Sequence, residues 1–203
     1  MSEIDISAKY LRSCKNDFWR RVFAEELAYL RQHLHREDKV LSVGCGPAIL
    51  ETALHELGFS VVGLDVSEEA IACAPDGIRT VVASAEKMPL PNAAFDVVLF
   101  IASLQFIENY RRALAEAGRV LKPKGRIISL LLNPASDFFK KKNADPNSYV
   151  RLIKHPDLRT MESALSENFA VHGEYFLGIE NERIFPSRSP ETAALYVLHG
   201  IKV

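Results

Sequence analysis

Apolar and polar positions follow two rhythms along this chain: short blocks that are apolar on both faces, and longer segments that are apolar along one side. Val40-Leu41-Ser42-Val43 is a block of the first kind and runs into Gly44-Cys45-Gly46. Leu50, Ala53, Leu54 and Leu57 then recur at helical spacing, with Gly58 where a helix ends. Phe59 to Asp65 reads as a second strand, Glu68 to Ala74 as a short helix, Pro75-Asp76-Gly77 as a turn, and Ile78 to Val82 as a third strand. Phe95 to Ile101 is a fourth strand. Asn109 to Leu121 is a helix with Ala113, Leu114, Ala117 and Val120 on one side, ended by Lys122-Pro123-Lys124-Gly125, and Arg126 to Leu132 is a fifth strand. Two-faced apolar blocks alternating with helices predict an α/β fold, with a mainly parallel sheet covered on both sides.

The flanks read differently. Residues 1–38 form a helical cap in two pieces, the second starting at Asn16-Asp17 and carrying Phe18, Val22, Phe23, Leu27, Leu30 and Leu34 as an apolar stripe. Tyr10, Phe18 and Trp19 either pack this helix on the core or close over a ligand. Residues 133–150 are polar, carry Pro134, Pro146 and the run Lys140-Lys141-Lys142, and read as an exposed loop or lid. After a helix over Asp157 to Glu167, Phe169 to Ile179 and Ala194 to Val203 are two strands with no helix between them. They are expected to pair antiparallel at one edge of a seven-stranded mixed sheet.

Composition narrows the partners. The 203 residues suit a single domain, and 25 Lys plus Arg against 26 Asp plus Glu provide no field to gather nucleic acid or an anionic membrane. No apolar run approaches the ~20 residues of a membrane span. Cys14, Cys45 and Cys73 show neither a CxxC pair nor zinc spacing, and reduced thiols in the cytoplasm are the expectation. His33 and His35, two apart on a helix, make a poor metal pair, and no metal is expected.

The candidate chemistry lies at the first strand's end. Gly44 and Gly46 permit positive φ and close backbone approach, and the N–H groups of the following helical turn face the same point. Asp65 ends the second strand about 20 residues on, where a nucleotide-binding βαβ unit places a carboxylate on the ribose hydroxyls. The plainer role for Asp65 is to cap the next helix, but Ser67, followed by Glu68 and Glu69, can do that instead.

These blocks resemble the class I S-adenosylmethionine-dependent methyltransferases, in particular the type 11 family of the quinone-biosynthesis kind. Val40 to Gly46 is similar to the family's first motif, Val62-Gly63-Leu64-Asp65-Val66-Ser67 to its second, and Ala85-Glu86-Lys87-Met88-Pro89-Leu90 with Phe95-Asp96-Val97-Val98 to its third and fourth. Arg119 to Gly125 is similar to the turn before strand five. The resemblance implies a Rossmann-like class I fold, S-adenosyl-L-methionine as cofactor and a small-molecule methyl acceptor, in a monomer or homodimer. It implies a cofactor-binding set of Tyr10, Gly44, Cys45, Gly46, Asp65, Val66, Ser84, Ala85, Glu86 and Ile101. Three positions depart from the family's pattern: Ser42 where an acid is usual, Ala48 where a third glycine is usual, and Ser84 where Asp is usual.

Methyl transfer from a sulfonium needs alignment and exclusion of water more than a dedicated catalytic motif, so no catalytic residue is assigned. His155, Tyr149 and His172 qualify as bases by type and position, with structural roles as the plainer reading. Two rival functions share parts of the pattern. A nicotinamide-dependent dehydrogenase would need a second nucleotide half. A methyltransferase-like protein that binds S-adenosylmethionine or S-adenosylhomocysteine without turnover is motivated by the three departures.

Overall fold

The computed structural model describes residues 16–203, so Tyr10 and Cys14 lie outside the described residues. Helix α1 (Asp17–His33) leads into β1 (Lys39–Val43), α2 (Ile49–Glu56), β2 (Ser60–Asp65), α3 (Glu68–Ile71), β3 (Arg79–Val82) and β4 (Phe95–Ile101). Then come α4 (Tyr110–Val120), β5 (Leu121–Leu132), α5 (Asp137–Ala144), α6 (Leu158–Ser166), β6 (Phe169–Glu180), β7 (Arg183–Phe185) and β8 (Ala193–Lys202). The strands form one sheet in the order β3-β2-β1-β4-β5-β8-β6-β7. Pairing is parallel from β3 to β5, and β8 runs antiparallel between β5 and β6.

The two-faced blocks bury both sides of this sheet, as a parallel sheet between helices requires. Val40, Val97, Leu99, Ile128 and Leu130 pack in one layer with Leu30 of α1 and Leu54 of α2. Their neighbours Leu41, Val98, Phe100, Ile127 and Leu131 pack in the other, with Ala113 and Leu114 of α4 and Met161 and Leu165 of α6. Each of the larger side chains, from Val upward, stabilises the fold by about 1.5–3 kcal/mol relative to exposure. The helices start where the sequence carries a cap: the side chains of Asn16, Ser67, Asn109 and Asp157 accept from backbone N–H groups of the first turn.

Three details differ from the sequence reading. The sheet has eight strands rather than seven, because Arg183-Ile184-Phe185 pairs with Gly178 to Glu180 at the far edge. Lys122 to Gly125 does not break from the sheet: β5 begins at Leu121, and a slip in register between Phe95 and Val97 with Lys124 at φ 59° absorbs the irregularity. The segment over residues 133–150 is not a loop. Ser136 caps α5, whose Phe138 and Phe139 are buried, and a 3₁₀ turn follows at Tyr149–Leu152.

Candidate functional site

The strand order reverses between β1 and β4, and the carboxyl ends of those strands open onto the site. At the end of β1 the backbone turns through Gly44 at φ 75° and Gly46 at φ 53°. Gly44 is required on two counts. Its φ is left-handed, and an added Cβ would lie 2.4 Å from Ser103 Cβ. Ser103 Oγ in turn donates to Val43 O at 2.6 Å, while the N–H groups of Gly44 and Cys45 donate to Leu64 O, which ties the turn to β2. Asp65, at the end of β2, accepts from Gly46 N at 2.8 Å and from Ser67 N at 2.9 Å. Ser67 Oγ caps Ala70 N, so α3 does not depend on the Asp65 carboxylate for its cap.

Two cavities meet at this turn. A cleft of about 480 Å³ is lined by Asp65, Val66, Ser84, Ala85 and Glu86, together with Gly44, Ala102 and Ser103. A more enclosed chamber of about 240 Å³ is lined by Gly44, Cys45, Gly46, Asp65, Ile101 and Ala102, and shares Gly44, Asp65 and Ala102 with the cleft. Apart from Tyr10, every residue of the expected set therefore lines one cavity or the other. Ser84 Oγ accepts from Glu86 N at 3.1 Å, and Glu86 Oε1 accepts from Asn109 N at 3.0 Å, which holds the far wall of the cleft.

Most of the chamber's wall is apolar, with Val22, Leu132, Leu177 and Leu195 contributing to it. Trp19, Phe138 and Tyr149 converge over it: the Trp19 ring lies 6.3 Å from that of Phe138 and 6.4 Å from that of Tyr149. Gln105, fully buried, clasps the backbone of Leu132, donating to its carbonyl at 3.1 Å and accepting from its N–H at 2.7 Å. Asn133 Nδ2 donates to the carbonyls of Pro190 and Ala193. These bonds fix the end of β5 beneath the chamber.

Two carboxyl groups absent from the expected set also line it, Glu26 from α1 and Glu51 from α2. Ser42, buried in β1, donates to Glu51 Oε1 at 2.5 Å. Burial pushes Glu51 up to about 7, opposed by the Ser42 bond. Glu26 is only 5% exposed, and its Oε2 has no hydrogen-bond partner among the described residues. Burial, and then the neighbouring Glu51, push it up to about 8. Burial also raises the Cys45 thiol, which Glu51 and Asp65 reinforce, so it stays protonated. Glu26 did leave a trace in the sequence: it interrupts the stripe between Val22 and Leu30 with an acid on an otherwise apolar face.

Of the suggested bases, Tyr149 lines the chamber. His155 packs against Tyr110, with Nε2 3.0 Å from Glu108 O, and His172 is exposed on β6. A separate cluster forms near the other end of α1, where His33, Glu174 and His199 bring their donor atoms within 4.8 Å of one another. The Tyr29 hydroxyl donates to Glu174 and lies 2.6 Å from His199 Nε2, so these polar groups satisfy one another.

This sheet order, with its glycine turn and strand-end acid at the switch point, defines a Rossmann-like methyltransferase fold. Residues 41–129 match a family model described as a methyltransferase domain. A structure from Thermotoga maritima, titled an S-adenosylmethionine-dependent methyltransferase and "possible histamine N-methyltransferase", superposes with a TM-score of 0.80 at 19% identity, covering 97% of this chain and 95% of that one. The ubiquinone biosynthesis O-methyltransferase of Pseudomonas fluorescens is 31% identical over 57% of this chain and 49% of its own length. The human eEF1A lysine and N-terminal methyltransferase is 28% identical over 58% of this chain and 19% of its own length. The chain thus spans about half the length, or less, of the curated relatives it matches.

Proposed function

We propose that this protein transfers the methyl group of S-adenosylmethionine to a small-molecule acceptor, with the cofactor across the cleft and the acceptor in the chamber. The observation that carries this is the meeting of the two cavities at Gly44, Asp65 and Ala102. A cofactor with an adenosyl half and an amino-acid half fits such a junction: Asp65 presents a carboxylate for the ribose, and the glycine turn presents backbone with no Cβ in the way. When bound, the cofactor supplies a methyl group already activated by the sulfonium. The chain's own task is then to orient the acceptor toward the cleft and to keep water out beneath Trp19, Phe138 and Tyr149.

The small volume of the chamber, about 240 Å³, favours a small acceptor over a segment of protein or nucleic acid. The Ser42–Glu51 bond favours turnover over binding alone. A buried acid is present beside the position where the family usually carries one, and Ser42 orients it. Calorimetry with S-adenosylhomocysteine tests the cofactor placement. Asp65→Ala should weaken binding by about 1.5–3 kcal/mol, the range for hydrogen bonds to a charged group, in a variant shown by melting to be folded. A variant that binds as tightly as the parent would overturn the placement.

A further inference from the structure

We propose that Glu26 receives the amino group of the methyl acceptor, so that the chamber takes a small amine with an apolar body. This rests on the methyltransferase reading and adds the acceptor's chemical class to it. Glu26 projects from α1 between Val22 and Leu30, is 5% exposed, and lines the chamber. A buried carboxylate oxygen without a partner is costly, and such atoms in folded proteins call for an explanation. The other two carboxyl groups on the chamber are already engaged: Glu51 Oε1 by Ser42, and Asp65 by the N–H groups of Gly46 and Ser67. Of the buried side-chain oxygens without a partner among the described residues, Glu26 Oε2 is the one on the chamber.

Charge decides what kind of donor fits. The described lining contains Glu26, Glu51 and Asp65 but no Lys, Arg or His. An acidic acceptor would bring a further negative charge into that surrounding. An alcohol would satisfy one oxygen but bring no charge that favours the ionised form of the carboxyl. An ammonium supplies both the hydrogen bond and the opposite charge; Lys142 Nζ already lies 5.8 Å from the ring centroids of Trp19 and Phe138, so Trp19, Phe23 and Phe138 on the same walls serve to cover the apolar body. The cofactor's own amino end is another ammonium, so the test has to separate the two.

The full chain, saturated with S-adenosylhomocysteine, is titrated calorimetrically with phenethylamine, 2-phenylethanol and phenylacetate, which share one skeleton and differ in the polar group. The amine is expected to bind at least about tenfold more tightly than the alcohol or the acid, the range of a charge-assisted hydrogen bond. Glu26→Gln, isosteric and uncharged, should erase that preference and leave affinity for S-adenosylhomocysteine within about threefold of the parent. The proposal is overturned if the alcohol or acid binds as well as the amine, or if the preference survives in Glu26→Gln. It is equally overturned if no amine binding is seen up to roughly millimolar concentration. Should Glu26→Gln weaken S-adenosylhomocysteine as much as the amine, the carboxylate serves the cofactor's amino end and the acceptor assignment falls. A parent chain that fails to bind S-adenosylhomocysteine defeats the methyltransferase reading instead. The same series on the unloaded chain then decides the present one: a Glu26-dependent amine preference supports it, and its absence overturns it.

Discussion

Ala48 stands at φ 55° and ψ 40°, in the left-handed region, at the N-cap of α2 and with its methyl group fully buried. An L-residue there costs roughly 1–2 kcal/mol relative to glycine. Glycine would relieve that cost, but would lose roughly 0.8 kcal/mol of methyl burial and add chain entropy to the unfolded state. The terms offset, and Ala48→Gly is expected to change the stability by less than about 1 kcal/mol in urea denaturation. A gain well above that would mean the turn is strained by the alanine. The position was legible in the sequence as a departure from a family pattern, whereas its energetic neutrality depends on the buried methyl, which only the packing reveals. Glu26 is the reverse case. It sits at helical spacing with Val22 and Leu30, so the stripe is read as core, and its carboxyl gains meaning only once α1 is seen to roof a chamber.

At the scale of elements, the strands from β1 to β5 were legible because a strand buried on both faces has almost no polar residues to confuse its pattern. Helix α5 was not. Only two consecutive phenylalanines mark its buried side, flanked by Pro134, Pro146 and three lysines, and two adjacent apolar positions carry no period. Its formation depends on Ser136, fully buried, whose Oγ accepts from Phe139 N at 3.1 Å and donates to Asn133 O at 2.7 Å. Ser136→Ala removes both bonds, and loss of such a cap costs about 1 kcal/mol. Trypsin cleavage after Lys140 to Lys142 proceeds from the transiently opened segment, so that cost should speed it roughly fivefold where opening and closing are fast. Phe138 lies in the roof with Trp19, so a bound ligand beneath should slow the same cleavage in the parent. Equal rates in parent and variant would show that the segment opens from somewhere other than its cap.

For the whole molecule, two groups set opposing dependences of stability on pH: Glu26, buried midway along α1, and His199, half-buried on β8 beside Tyr29 and His33. Burial, and then Glu51, raise Glu26 from an ordinary 4.5 to about 8, so the folded state holds a proton that the unfolded chain releases. Its favourable contribution is complete below about pH 4.5 and is lost as the pH rises toward 8, at up to about 1.4 kcal/mol per pH unit. His199 runs the other way. Burial first, then the neighbouring His33, lower it from 6.5 to about 4, so the unfolded chain binds the proton more readily. The contribution of His199 is complete above about pH 6.5 and is lost as the pH falls toward 4. Urea denaturation across pH 4 to 9 separates the two. Glu26→Gln should be more stable than the parent at pH 8 to 9, with the difference shrinking toward pH 5, because only the ionised carboxyl is penalised by its surroundings. His199→Gln should show the mirror image, losing least against the parent at the acid end. A constant difference between Glu26→Gln and the parent at every pH would mean that Glu26 is ionised in the folded chain even without a ligand, its charge offset by water or by a partner outside residues 16–203.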